Sequence, residues 1–301
     1  MKNQKKIIVA MSVLIAFLLM ILLLPQEYNL FKTAHAETET KAAATVSENA
    51  ATNVVVLQKW DLPEVLREVS GIAYLAENRF ACVQDEKGSI FIFNTSTATI
   101  EKEIPFAGPG DYEGLTLVGE TAYVVRSDGK LFEVQHFNSA KPTVNEYSNH
   151  LTADHNIEGL CYDEQHNRLL IAIKDEEPHT HDYKGIYAFD LNNKKMAEAP
   201  VYKVDLKHAA FGKVKRKKRK KVMNPSEIAI HPQSKNIFVT DAVKPKIMVM
   251  DAEGNIKKIY NINQDTFRQP EGITFGPQGE LYISNEGKTG TANILKVQLN
   301  E

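Results

Sequence analysis

The sequence predicts an all-β protein, a five-bladed β-propeller placed behind an N-terminal membrane segment. Three observations support this prediction: a short phrase that recurs along the chain, a strand-turn pattern after each copy, and a lysine-flanked apolar stretch at the start. The aliphatic residue of the phrase falls at Ile72, Leu115, Leu160, Ile228 and Ile273, at intervals of 43, 45, 68 and 45 positions. A period in the forties with strand-like content is typical of propeller blades.

The N-terminal stretch predicts a membrane span over residues 7–24. Lys2, Lys5 and Lys6 precede it, and Ser12 is its one polar residue. As a helix these residues would extend about 27 Å, close to the thickness of a bilayer's hydrocarbon core. Lysines before a span tend to stay in the cytoplasm. We therefore expect a protein of the cell membrane with the rest of the chain on the extracytoplasmic side.

Residues 1–36 are interpreted as a signal-anchor or signal segment, since Ala34-His35-Ala36 fits a signal-peptidase site. Cleavage after Ala36 would give a secreted or periplasmic protein instead of an anchored one. Residues 37–53 are mainly Ala, Thr and Glu with few large side chains. Such a composition predicts a flexible tether, with a helical stalk as the alternative.

Residues 54–301 are assigned to the propeller. The first unit shows the pattern: strands are predicted at 71–75, 79–83, 89–93 and 99–106, separated by Asn, Asp and Gly turns. Residues 54–57 are expected to form an outer strand that pairs with the last blade. Such pairing closes the ring and removes exposed sheet edges.

The third interval exceeds 45 by 23 positions, so this unit contains an insertion or hides a sixth blade. An insertion is favoured because no sixth copy of the phrase is found, and six blades remain the alternative. The surplus can lie at 175–184, between the second and third strands, and at 207–222, before the fourth phrase.

Three copies of the phrase carry a glutamate before the glycine: Glu113, Glu158 and Glu271. The first strand of each blade lines the central channel, so these carboxylates should converge around the axis. Converging carboxylates repel one another unless a cation neutralises them or their pKa values rise. Oxygen ligands in a roomy site favour calcium, with Ser70 and Ser226 completing the ring. The alternative is that the glutamates merely hydrogen-bond the backbone where blades meet.

The loops between second and third strands open on the same face as the glutamates. They carry an acidic residue in every unit: Asp85, Asp128, Asp175, Asp241 and Glu286. These side chains are candidates for a ligand-binding rim or for support of the metal ligands. Ordinary turn chemistry, which also favours Asp, is the alternative explanation.

The phrases Glu-Val-Ser-Gly-Ile at 68–72, Asn-Ile-Glu-Gly-Leu at 156–160 and Gln-Pro-Glu-Gly-Ile at 269–273 resemble those of the SdiA-regulated family. The resemblance covers residues 54–301. It implies a five-bladed propeller similar to NHL-repeat propellers, with a calcium site in the ring, and no particular activity. The fourth phrase departs from the pattern because Glu227 replaces the glycine, so this side chain is expected at the sheet junction.

A basic run predicts an exposed loop within 207–222. Its charged residues are Lys213, Lys215, Arg216, Lys217, Lys218, Arg219, Lys220 and Lys221. Behind an export signal, an anionic surface or polymer is a more suitable partner than nucleic acid, which is not expected. A solvated loop without a partner is the alternative. Cys82 and Cys161 occupy non-equivalent places in the repeat and are expected to be buried free thiols.

Two functions are considered. The first is a membrane-tethered extracytoplasmic propeller that binds calcium and a ligand or partner without catalysis. The second is a metal-dependent hydrolase similar to propeller lactonases and phosphotriesterases, with His155 as the histidine nearest in sequence to Glu158. Whether the protein is an enzyme, and which small molecule it binds, does not follow from the sequence.

Overall fold

Each copy of the repeated phrase begins the innermost strand of a sheet in the computed structural model; four of these sheets have four strands and the third has five. The structure describes residues 53–300 except 176, 178, 179, 213, 214, 216, 217, 219, 220 and 289. The predicted span at 7–24, the cleavage site after Ala36 and the tether up to residue 52 lie outside these residues. From Asn53 onward, none of the described helices has the length and apolar character needed to cross a membrane.

Twenty-one strands form the sheets in the described part of the chain. The first strand is β1 (Val54–Asp61). The first blade contains β2 (Val69–Ala76), β3 (Arg79–Gln84), β4 (Ser89–Asn94) and β5 (Thr99–Pro105). The second blade contains β6 (Tyr112–Val118), β7 (Thr121–Arg126), β8 (Leu131–Gln135) and β9 (Thr143–Tyr147). The third blade contains β10 (Ile157–Asp163), β11 (Arg168–Ile173), β12 (Tyr183–Asp190), β13 (Lys195–Met196) and β14 (Tyr202–Asp205). The last two contain β15 (Pro225–Ile230), β16 (Ile237–Asp241), β17 (Lys246–Met250), β18 (Ile256–Asn261), and β19 (Pro270–Phe275), β20 (Leu281–Asn285), β21 (Asn293–Leu299). Short 3₁₀ helices occur at Glu64–Leu66, Glu164–His166 and Ala209–Phe211.

The fifth blade joins the two ends of the described chain. β1 pairs antiparallel with β21, with Val54 opposite Leu299 and Asp61 opposite Asn293. β1 therefore supplies the outermost strand of a sheet whose other strands come from the C-terminal part of the chain. The prediction of an all-β, five-bladed propeller is confirmed, and the six-bladed alternative is wrong.

The surplus residues of the third unit lie in the two predicted places. One segment lies between β11 and β12, and the other lies between β14 and β15. The outer edge of this blade is also divided, because both β13 and β14 pair with β12. A longer unit therefore adds loops to one blade rather than a sixth sheet.

Apolar side chains fill the spaces between neighbouring sheets. All five aliphatic residues of the phrase are at most 2% exposed. Aromatic residues fill the junction between the fifth and first blades, where the ring centroids of Phe80 and Tyr282 lie 4.9 Å apart. Cys82 and Cys161 are buried free thiols, as expected.

The glycine of the phrase is required by close contact between inner strands. A Cβ added at Gly114 would lie 2.6 Å from Leu160 Cβ and 2.9 Å from the Glu158 carbonyl oxygen. A Cβ at Gly159 would lie 3.0 Å from the Ile228 nitrogen in the next blade. Side chains at these positions would push neighbouring blades apart, so the glycines allow the ring to close tightly.

Candidate functional site

The structure brings Glu113, Glu158 and Glu271 together at one end of the channel. Each is the second residue of an inner strand, and Glu158 and Glu271 are 3% and 7% exposed. Burial raises the pKa of Glu113 well above its usual range, and the Glu158 carboxylate raises it further. Burial likewise raises the pKa of Glu158 to about 8, although Lys174 opposes this shift. The ring is therefore an assembly of carboxyl groups that resist ionisation.

Lys174 is a member of this ring that the sequence interpretation did not assign to it. It directly follows β11, and its Nζ donates a hydrogen bond of 2.9 Å to Glu158 Oε1. Burial would lower the pKa of this ammonium, but Glu158, Glu271 and Glu113 raise it overall. The one sequence signal for this role was its position: a lysine at the end of the second strand of a blade, on the face where three glutamates were predicted.

Several acidic oxygens in and beside the ring lack a protein partner. Gln269 Nε2 donates to Glu271 Oε1 at 2.7 Å, whereas Glu271 Oε2 is buried without a hydrogen-bond partner. Burial raises the pKa of Glu271, while Lys174 acts to lower it. Buried polar atoms without a protein partner are uncommon in folded proteins, so Glu271 Oε2 is a candidate contact for a ligand, a water molecule or an ion.

Glu227 adds a further carboxyl group near the ring. It stands where the other phrases have glycine, and its Oε1 accepts hydrogen bonds from the backbone nitrogens of Leu160 at 2.5 Å and Ile228 at 3.0 Å. Glu227 therefore lies at the junction of the third and fourth blades, as the sequence predicted. Its Oε2 is buried without a partner, and burial raises its pKa strongly, with contributions from Glu113 and Glu158.

The two serines of the ring connect neighbouring blades. Ser70 Oγ donates to the Tyr112 carbonyl oxygen at 2.6 Å, and Ser226 Oγ donates to the Pro270 carbonyl oxygen, also at 2.6 Å. Each acceptor is the residue just before a ring glutamate. The serine hydroxyl protons are therefore used to fix the glutamate-bearing strands in place.

Two of the predicted rim residues contribute to the acidic environment of the ring. Asp85 is half-buried, its Oδ1 has no partner, and burial with the nearby Glu68 raises its pKa to about 7. Burial also raises the pKa of Glu286, and Glu271 adds to the shift. Glu286 is therefore electrostatically close to the ring through Glu271, whereas Asp85 is close to Glu68 and Glu286.

The other three rim residues are engaged elsewhere or exposed. Asp128 forms an ion pair of 2.7 Å with Arg126. Asp241 is fully buried, and its Oδ2 accepts from Lys246 Nζ at 2.7 Å while its Oδ1 accepts from two backbone nitrogens in the following turn. Asp175 is exposed. At Asp241 the structure shows turn chemistry.

The donor chemistry of the ring fits a hard cation such as calcium. Some carboxyl oxygens have no hydrogen-bond partner, and too few positively charged side chains balance the carboxyl groups. The side chains are not arranged as a complete ligand set. Among the residues that the structure describes, no group of three His, Cys, Asp or Glu side chains is placed to hold a metal ion. Lys174 lies instead beside Glu158. A cation would have to compete with this ammonium.

The histidine considered for catalysis is buried shortly before β10, and one of its ring nitrogens is engaged. His155 is 7% exposed, and its Nδ1 accepts a hydrogen bond of 3.1 Å from the Thr152 backbone nitrogen. Two further histidines lie in the segment between β11 and β12. His181 is exposed, and His179 lies outside the described residues. The opposite end of the channel holds a cavity of about 350 Å³ lined by the far ends of the inner strands, including Tyr74, Leu117 and Phe275.

The fold and this site define a five-bladed propeller with a buried acidic centre on one face. The chain belongs to the SdiA-regulated family, whose sequence profile matches residues 47–289. No curated protein matches the chain. The resemblance noted in the sequence is thereby confirmed.

Solved structures share the fold at low sequence identity. The glutaminyl cyclase of Myxococcus xanthus is 14% identical, with a TM-score of 0.57, and the match covers 82% of this chain and 96% of that one. The PQQ-bound aldose sugar dehydrogenase of Streptomyces coelicolor is 10% identical, with a TM-score of 0.50, and the match covers 81% and 98%. At these identities the likeness concerns the fold alone.

Proposed function

We propose that this protein is an extracytoplasmic propeller, tethered to the cell membrane through residues 7–24, that binds a calcium ion at its ring of glutamates. The bound ion would organise this face for a ligand or partner. The observation that carries the proposal is the excess of buried carboxyl groups over cations. Glu113, Glu158 and Glu271 face one another with Lys174 as the nearby ammonium.

Two details support binding of a cation at the ring of glutamates. Glu271 Oε2 and Glu227 Oε2 are buried without hydrogen-bond partners, so the site contains oxygens ready to coordinate. Burial and mutual repulsion keep the pKa values of the ring carboxyls high. Without a divalent cation these carboxyl groups would hold protons, which a bound cation would displace. A bound calcium ion would supply the opposing charge. Glu113, Glu158 and Glu271 would hold it, with Ser70 and Ser226 fixing the strands on which Glu113 and Glu271 stand.

Binding without catalysis is favoured over hydrolysis at the same centre. A hydrolase would need a general base close to the metal, and His155 is the candidate. Its Nδ1 already accepts a hydrogen bond from the Thr152 backbone nitrogen, so in the neutral ring Nε2 carries the proton and is not free to act as a base.

Thermal melting tests the proposal. Calcium should raise the melting temperature of the chelator-treated protein more than magnesium does, because a ligand that binds only the folded state stabilises it by about 2.7 kcal/mol at a hundredfold excess over Kd. Glu158→Gln and Glu271→Gln should remove most of this response, and His181→Ala should preserve it. Melting curves indifferent to calcium and chelator would contradict the proposal.

A hydrolysis screen separates the two functions. Lactone, phosphoester and aryl-ester substrates are incubated with calcium and with chelator. The binding proposal predicts no chelator-sensitive turnover above background. Calcium-dependent turnover that is lost in Glu158→Gln would instead assign the site to a hydrolase.

A further inference from the structure

A second charged feature lies away from the acidic ring, against the outer strand of the fourth blade. The described residues of the segment between β14 and β15, together with this blade, line a groove of about 750 Å³. We call it the basic groove and define it by Phe211, Lys218, Lys221, Val222, Lys244 and Ile259. It combines ammonium groups with an apolar wall, and neither the calcium proposal nor the family explains it.

The ammonium groups of the groove are available for a ligand. Lys218, Lys221 and Lys244 are exposed, and among the described residues no carboxylate lies within ion-pair distance of their Nζ atoms. Lys246, at the inner end of the groove, differs because Asp241 neutralises it at 2.7 Å. With a net charge of −2 for the whole chain, this is a local basic patch and not part of a general positive field.

Apolar side chains accompany these lysines. Phe211, Val222 and Ile259 are half-buried along the wall. Val243, next to Lys244 in the turn between β16 and β17, is 58% exposed, the largest value among the exposed large apolar residues of the described chain. Exposed apolar side chains beside lysines are characteristic of surfaces that bind anionic lipid, because the lysines reach phosphates while the apolar groups enter the interface.

We propose that the basic groove and Val243 form a docking surface for the phosphate headgroups of an anionic membrane. A hydrophilic polyanion would satisfy the lysines but would give no use to the exposed Val243. The inference rests on the proposed tethering, which would hold the propeller beside a membrane. The 28 residues from 25 to 52 could extend roughly 90 Å at most, so the groove could reach the bilayer that holds its own span.

An environment-sensitive dye at position 243 tests the docking. The full chain carrying Val243→Cys can be labelled selectively because Cys82 and Cys161 are buried. The labelled protein is incorporated into nanodiscs of phosphatidylcholine alone or with about one-third phosphatidylglycerol. We expect a blue-shifted emission, quenched by brominated acyl chains, in the anionic discs only, and its loss at high salt.

Charge variants give the matched comparison. Lys218→Gln, Lys221→Gln and Lys244→Gln together should abolish the emission shift in anionic discs, because each lysine near such a surface contributes several-fold to binding. Lys141→Gln, Lys195→Gln and Lys257→Gln remove the same charge from other exposed positions and should preserve the shift. A shift that survives the groove substitutions, or that is equal in both lipids, would overturn the proposal.

Two further outcomes are separable. If the dye responds to added polyphosphate but not to anionic discs, the groove binds a soluble polyanion and the lipid assignment is wrong. If the full chain fails to enter nanodiscs, the proposed tethering fails, and the docking is then tested by flotation with added anionic vesicles. Absence of groove-dependent flotation would reject the docking surface itself.

Discussion

Lys174 Nζ lies 2.9 Å from Glu158 Oε1, so one ammonium of the protein occupies the side of a ring built from the buried Glu158 and Glu271 and the half-buried Glu113. Glu271 and Glu113 also raise the pKa of this ammonium. Lys174 therefore has two opposing effects. It stabilises the ring without a metal, and it competes with any cation that enters.

Replacing Lys174 by Met should strengthen calcium binding by about tenfold or more, because a competing positive charge a few ångströms away is removed. The same change should lower the melting temperature of the chelator-treated protein. Calorimetric titration and melting of the variant measure both effects. Lys195→Met, at an exposed position, should change neither, and a Lys174 variant with weaker calcium binding would refute the competition.

Calcium affinity should rise with pH. The pKa values of Glu113 and Glu158 lie above their usual range, that of Glu158 at about 8, so these groups hold protons at neutrality that calcium must displace. In the absence of calcium, the free energy of unfolding should change with pH in the opposite direction. The folded state binds more protons than the unfolded one above pH 4.5, so these groups should lower stability as pH rises toward 8. Calcium titrations and denaturant unfolding between pH 6 and 9 would test both trends; an affinity that does not change with pH would count against proton displacement.

Some features of this molecule could be predicted from its sequence and others could not, for physical reasons. The phrase, its spacing and the closing strand were visible because inner strands need an aliphatic residue in every blade and a close-contact glycine in four of the five. The role of Lys174 was not visible, since a lysine at a strand end is ordinary until neighbouring blades place three carboxyls beside it. Ser70 and Ser226 fall at ring positions, but only the structure shows their hydroxyls bonded to the adjacent blades.

The glycine of the phrase can be tested directly. Gly114→Ala would place a Cβ 2.8 Å from the Leu160 nitrogen and should destabilise the propeller by about 1–3 kcal/mol, the usual range for overpacking. Denaturant unfolding measures the change. Gly108→Ala is the matched control because a Cβ there meets nothing within 4 Å, and it should leave stability nearly unchanged. Equal effects of the two substitutions would show that close contact between inner strands is not the reason for the glycine.

A partly buried ion pair between the second and third blades should dominate the acid side of the stability profile. Lys194 Nζ lies 2.6 Å from Glu133 Oε1, and Tyr123 and Tyr147 also donate to this carboxylate. Burial alone would raise the pKa of Glu133, but these donors outweigh it and lower the pKa to about 2.

The stability supplied by Glu133 is present above its unfolded pKa of about 4.5 and is lost as pH falls toward 2. Glu133→Gln should therefore cost about 1.5–3 kcal/mol at neutral pH, the range for hydrogen bonds to a charged group, and should flatten the profile below pH 4.5. Glu146→Gln, in an exposed pair with Lys130, should cost at most about 1 kcal/mol. Unfolding measured from pH 2 to 7 distinguishes the two; an unchanged acid limb in Glu133→Gln would contradict this assignment.

The most direct test of the calcium proposal is calorimetric titration of the metal-free full chain with calcium in two buffers of different ionisation enthalpy. The account predicts one ion per chain, bound with release of protons, and loss of this binding in Glu158→Gln and Glu271→Gln. Glu253→Gln, an exposed carboxylate outside the ring, should bind calcium as the unmodified protein does. The absence of a binding isotherm, or binding unaffected by both ring substitutions, would show that the ring of glutamates is not a calcium site.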